Sequence, residues 1–158
     1  MINFSLIYLG AFSLTISILS FFNIIYSYYF NLYLNLDSYI YSLILSLMLG
    51  CFFFIKKGNT NKINIFNKIL TVVSGYIYLP LILSIPFYFS IYNISFLDSY
   101  FEAISGFTST GFTIFDNIKH IDESLILWRS SIQWLGGLYF LFSIILLIDI
   151  FDDNLKKT

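Results

Sequence analysis

The chain has 158 residues, of which 58% are hydrophobic, 22% aromatic and only 11% charged, with a mean hydropathy of +0.83. A soluble domain carries about 25% charged residues, so this much apolar surface excludes a soluble fold and points to an integral membrane protein. The formal net charge of −1 excludes nucleic-acid binding by bulk electrostatics.

Four apolar segments follow one another, at residues 4–30, 39–55, 69–92 and 125–148. Each is near or above the roughly 20 residues that cross a bilayer as a helix. The first has no basic leader and no small-x-small cleavage site, so it reads as a retained span rather than a signal peptide. The second is the shortest and carries no charge. It holds Cys51, the single cysteine, which excludes an internal disulfide and reads as a small hydrophobe facing lipid or core. Pro80 and Pro86 should kink the third, which membrane helices accommodate.

Lysine placement sets the expected orientation. The connection 56–68 holds Lys56, Lys57, Lys62 and Lys68 and no acid, and should be cytoplasmic. Asp37, and then Asp98, Glu102, Asp116, Asp122 and Glu123 between residues 93 and 124, should face outward. Both termini then lie inside. The tail, with Asp149, Asp152 and Asp153 beside Lys156 and Lys157, does not decide orientation by itself.

Between the third and fourth spans, residues 96–107 are moderately apolar and helix-compatible. Ser95 followed by Asp98 is a capping-box-like start. A helix of this length reaches about 18 Å, little more than half of a ~30 Å hydrocarbon core, so it can enter a bilayer without crossing it. Gly106 should loosen its end. The hydroxyl-rich run Thr108-Ser109-Thr110-Gly111-Phe112-Thr113 must then return the chain to the outer face. Irregular backbone at membrane depth is tolerated where it is buried in protein or lines water. Such a run offers carbonyl and hydroxyl oxygens to a dehydrated cation, and the negative end of the short helix favours a cation there. Gly111 can take a backbone conformation that turns successive carbonyls to one side. An ordinary extracellular amphipathic helix with a polar loop is the alternative reading of the same spacing.

Glu102, inside the short helix, and Arg129, near the outer end of the fourth span, are costly charges at depth. They either pair and brace the strand, or Arg129 snorkels to the headgroups while Glu102 faces an outer vestibule. Gly136 and Gly137 should allow close helix approach. Trp128 and Trp134 fit an interfacial belt or packing. His120 reads as a solvated loop histidine. No nucleotide loop, catalytic triad or metal cluster is visible, so neither an enzyme nor a cofactor is expected.

The stretch Phe101-Glu102-Ala103-Ile104-Ser105-Gly106-Phe107-Thr108-Ser109-Thr110-Gly111-Phe112-Thr113, followed by Leu127-Trp128-Arg129-Ser130-Ser131-Ile132-Gln133-Trp134-Leu135-Gly136-Gly137, resembles the first pore repeat of the membrane subunit of bacterial Trk/Ktr potassium-uptake systems, relatives of plant and fungal HKT and Trk transporters. The resemblance implies an all-α membrane fold. Residues 1–68 would be an N-terminal transmembrane pair with a basic cytoplasmic loop, residues 69–150 an M1–pore helix–filter loop–M2 unit, and residues 151–158 a cytoplasmic tail. It implies potassium uptake across the plasma membrane, the bacterial inner membrane. Thr108, Ser109, Thr110, Gly111 and Phe112 would form the selectivity filter, with potassium as the transported ligand. Glu102, Arg129 and Thr113 would support it. Gly111 stands at the family's filter glycine, which goes with potassium preference.

The family carries four such repeats in one polypeptide, and the sequence here holds one. It therefore looks like an N-terminal part, to be completed by the remaining pore repeats or by a homo-oligomer. The resemblance further implies a cytoplasmic nucleotide-binding ring subunit as regulator. The alternative is a non-conducting small membrane interaction subunit or a truncated product.

Overall fold

The computed structural model describes residues 3–56, 65–116 and 121–155, with the side chains of 3–5, 65 and 149–155 left outside the description. Lys57, Lys62, His120, Lys156 and Lys157, and the side chains of Asp149, Asp152 and Asp153, lie outside it. Among the described residues the chain is helical, with no strand: α1 (Asn3–Tyr29), a 3-10 turn (Tyr33–Asn35), α2 (Leu36–Ile55), α3 (Ile65–Leu83), α4 (Ile85–Ser90), α5 (Phe96–Phe107) and α6 (Glu123–Leu155). Four stretches are long and apolar enough to cross a membrane, namely Leu6–Tyr29, Tyr33–Ile55, Phe66–Ser90 and Glu123–Ile148. The protein is an all-α membrane protein. The second span is longer than the sequence reading made it. It starts at Tyr33, because the polar residues Asn35, Asp37 and Ser38 are taken into helical structure instead of forming a loop.

α1 ends where Asn31 adopts a left-handed conformation (φ 59°), with Asn31 N–H on the Tyr28 carbonyl and Leu32 N–H on that of Ser27. This paired closure satisfies carbonyls that the helix end would leave open. The chain then folds back as α2 along a seam of small polar residues. Ser13, Ser17, Ser20, Asn23 and Ser27 on α1 recur every three or four positions and are buried, as are Ser38, Ser42, Ser46 and Gly50 on α2. Ser20 Oγ donates to Ser42 Oγ across the seam (3.2 Å). Small residues let helices approach closely where lipid offers no hydrophobic drive for association.

The third span is interrupted, as its prolines lead one to expect. α3 contains Pro80 and stops at Leu83; α4 restarts with Pro86 in its first turn. At the break, Trp128 Nε1 of α6 donates to the Leu83 carbonyl (3.1 Å). Trp128 is therefore a core residue, whereas Trp134 is exposed. Further along α6, Tyr139 donates to the carbonyls of Thr71 and Val72, both at 3.0 Å. Gly75 makes room for it, since a Cβ there would collide with the Tyr139 hydroxyl.

The core gathers Trp128, Tyr39, Tyr139, Phe87, Phe107, Leu79, Leu83, Ile132 and Leu135. One end of the bundle is closed by hydrogen bonds between elements: Asn35 Nδ2 to Asp122 Oδ2 (2.5 Å), Tyr39 to Ser124 (3.0 Å) and Ser90 to Ser38 (2.8 Å). Large apolar side chains such as Phe22, Met48, Ile77 and Ile145 stand exposed, the surface that a lipid-facing bundle presents.

Candidate functional site

α5 is built to begin at the closed end of the bundle and to stop inside it. Its N-terminus is capped by Ser95, whose Oγ accepts from Asp98 N–H (3.1 Å) and donates to Asp98 Oδ2 (2.7 Å). The first helical residue, Phe96, packs near Tyr88 at the end of the third span. Its last residue, Phe107, is buried, with its ring 5.7 Å from that of Tyr76 and 5.3 Å from that of Tyr139. The Phe107 carbonyl rests on Gly136, where an added Cβ would collide with it. Tyr76 lies near the middle of the span Phe66–Ser90 and Gly136 near the middle of Glu123–Ile148. The short helix thus ends about halfway along the long ones.

Two glycines have roles other than those read from the sequence. Gly106 does not form the helix end. It sits inside α5, buried, with a would-be Cβ 3.0 Å from Ile132 Cγ2, so its smallness serves packing on α6. The end is made by Ser109 in the left-handed conformation (φ 56°), with Ser109 N–H on the Gly106 carbonyl (3.0 Å) and Thr110 N–H on that of Ser105 (3.1 Å). The expected close approach at Gly136 and Gly137 is found at Gly136; around Gly137 a Cβ would meet nothing within 4 Å.

The return strand follows from this cap. Thr108, Ser109, Thr110, Gly111 and Phe112 are exposed, and Thr113 is half-buried. The Thr108 hydroxyl donates to the Ile104 carbonyl (2.7 Å) and the Thr110 hydroxyl to that of Ser105 (3.2 Å), so these side chains tie the strand to the helix end. The carbonyls of Thr108, Ser109 and Thr110 accept no hydrogen bond from a described residue. Gly111 has φ +79° with open space around it; the glycine answers a backbone requirement, not a steric one. An open cavity of about 430 Å³ lies beside the strand, lined by Tyr76, Phe107, Thr108, Ser109, Gly136, Gly137 and Phe140.

Behind the strand, Glu102 and Arg129 are paired. Glu102 is fully buried and Arg129 nearly so, with Arg129 Nη1 3.1 Å from Glu102 Oε2. One Nη1 hydrogen goes to Thr113 Oγ1 (3.0 Å), and Oε2 is held by charge without an aligned donor. The other carboxylate oxygen, Oε1, accepts from Thr113 Oγ1 and from Ile114 N–H, both at 2.6 Å. Arg129 Nη2 donates to the Phe112 carbonyl (3.2 Å) and, at a longer 3.5 Å, to that of Gly111. The snorkelling alternative for Arg129 is thereby excluded. Ser105, which the sequence reading passed over, also belongs here: its Oγ donates to the Phe112 carbonyl at 2.6 Å. The available signal was a hydroxyl on the apolar face of α5, among Ala103, Gly106 and Phe107. Among the described residues no cluster of His, Cys, Asp or Glu could hold a metal ion.

A multi-pass helical membrane protein with one half-length helix, an exposed hydroxyl-rich strand and a buried ion pair behind it is the class that fold and site define. In sequence, the chain is 33% identical over 109 residues to an uncharacterised cation transporter of Methanocaldococcus jannaschii, a match over 68% of this chain and 23% of the relative. It is 38% identical over 66 residues to the Trk system potassium uptake protein TrkI of Halomonas elongata, covering 42% of this chain and 12% of that one. With TrkG of Escherichia coli it shares 37% over 46 residues, or 29% of this chain and 10% of the relative. The chain is thus similar to the Trk potassium uptake proteins, as its motifs indicate, and spans from about a tenth to a quarter of the length of these relatives. No family model and no solved structure matches it.

Proposed function

We propose that the chain supplies one pore loop to a potassium path across the plasma membrane, with α5 as pore helix, Thr108 to Phe112 as filter strand, and Glu102, Arg129 and Thr113 as its support. In this reading residues 69–150 are an M1–pore helix–M2 unit preceded by the transmembrane pair 1–68. The observation that carries it is the position of the Phe107 terminus beside Gly136 and Tyr76, because a strand that leaves a helix at mid-depth must line water or contact protein. Potassium would exchange hydration chiefly for the carbonyls of Thr108, Ser109 and Thr110, since those of Gly111 and Phe112 already face Arg129, and the carbonyl end of α5 adds a favourable potential. The chain does no covalent chemistry in this role.

Asp98 and Asp122, with the α5 N-terminus, belong to the end of the bundle opposite Lys56. Lysine placement makes the Lys56 end cytoplasmic and both termini internal. One strand is one quarter of a four-loop ring, so the partners are three further pore loops, from other repeats or from copies of this chain. A cytoplasmic nucleotide-binding ring is the expected regulator.

Growth of a potassium-uptake-deficient bacterium on limiting potassium tests the reading. Expression of the chain, alone if copies of it complete the ring or together with the further pore repeats if they do, should restore growth, and Gly111→Val should remove the rescue. Rescue that survives Gly111→Val would overturn the proposal. An absence of rescue even with the further pore repeats co-expressed would favour a non-conducting interaction subunit.

A further inference from the structure

Many serines in these helices turn their hydroxyl back onto their own helix: Ser13 donates to the Leu9 carbonyl, Ser99 to Ser95, Ser131 to Leu127 and Ser143 to Tyr139. This is the ordinary resting place of a serine in a buried helix. Ser105 is buried like Ser13, Ser99 and Ser143, yet its hydroxyl leaves α5 and donates across to the Phe112 carbonyl at 2.6 Å, with Thr110 Oγ1 at 3.1 Å. Its own carbonyl accepts from the N–H and hydroxyl of Thr110. One residue therefore holds the strand both at its middle, Thr110, and at its end, Phe112.

We propose that Ser105 is the positioning residue that decides which strand oxygens meet the ion, by drawing the Phe112 carbonyl inward and leaving those of Thr108, Ser109 and Thr110 outward. This rests on the pore reading above. Thr110 is held by its amide and hydroxyl on the Ser105 carbonyl, and Phe112 by its carbonyl on the Ser105 hydroxyl, so the peptides between them have little room to rotate. Arg129 Nη2 shares the Phe112 carbonyl, but at 3.2 Å and on a long side chain; it supports the same orientation less tightly. The Gly111 carbonyl, 3.5 Å from that guanidinium, marks the boundary between outward and inward oxygens. Without the Ser105 hydroxyl the Phe112 carbonyl keeps one partner and gains freedom to rotate. The preceding oxygens lose their fixed spacing and with it their discrimination between potassium and the smaller sodium.

The test is the melting temperature of the full chain in lipid nanodiscs, in potassium and in sodium chloride at equal ionic strength. Wild type should melt higher in potassium. Ser105→Ala should melt in sodium close to wild type and lose the potassium increment, and Ser105→Thr, which keeps the hydroxyl, should retain it. Should Ser105→Ala give no folded transition, Ser105→Cys, a weaker donor of similar shape, should show a reduced increment. A wild type indifferent to the cation would overturn the pore reading and this inference with it. A wild type that responds, with Ser105→Ala or Ser105→Cys responding equally, would overturn the inference alone.

Discussion

Arg129 reaches from α6 to the short helix and to the strand after it at once: Nη1 stands 3.1 Å from Glu102 Oε2 and Nη2 3.2 Å from the Phe112 carbonyl. The guanidinium links the buried face of α5 to the strand that leaves its end. Removing one member of a buried ion pair strands the other charge, at a cost of about 3–5 kcal/mol. Arg129→Met should therefore lower stability by that order, measured by thermal or denaturant unfolding in a fixed detergent. Glu102→Gln should cost less, because an amide oxygen can still accept from Ile114 N–H. The double variant should be milder than the sum of the two. Strict additivity would contradict the pairing.

Glu102 also accepts from Thr113 and from backbone, which an arginine cannot do. Exchanging the charges, with Arg at 102 and Glu at 129, should for that reason fail to restore the native melting temperature. Full restoration would show that the pair acts through charge alone.

Gly111 is left-handed with free space around it, so the size of a replacement matters less than its backbone preference. A non-glycine residue in this conformation costs about 1–2 kcal/mol, less for asparagine and more for a β-branched side chain. Gly111→Asn should keep more stability than Gly111→Val in the same unfolding assay. Equal losses would mean that the strand is shaped by something other than φ at this position.

Two adjacent glycines in α6 should behave differently. Gly136→Ala drives a methyl into the Phe107 carbonyl and must displace the end of α5, an overpacking of about 1–3 kcal/mol. Gly137→Ala meets open space inside α6 and should leave stability unchanged or raise it by up to about 1 kcal/mol. Folded yield and melting temperature report both. Indifference at Gly136 would contradict the seating of the short helix against α6.

The spans, the limits of α5 and its Ser95 cap were legible in the sequence, because each rests on a local rule: hydropathy over a bilayer-length window, and a hydroxyl followed three residues later by a carboxylate. The second span was read short because Asn35 and Ser38 are polar; they are drawn inward by partners on distant elements, Asp122 and Ser90, which no local window contains. Gly106 misled for the same reason. A glycine near a helix end usually terminates it, but here the neighbour Ile132 decides its role and Ser109 takes the left-handed position. The Glu102–Arg129 pair was one of two open readings, since burial settles what charge alone does not. Ser105 was missed because its partner, the Phe112 carbonyl, is backbone and leaves no mark in composition.

The central claim is that the strand after α5 meets permeant ions at mid-membrane depth. Its most direct measurement is the reaction of water-borne silver ion with Ser109→Cys, in a Cys51→Ser background, in sealed vesicles. The account predicts reaction at this position, slowed by potassium and little changed by sodium. A thiol that silver cannot reach, or one whose rate ignores potassium, would contradict it.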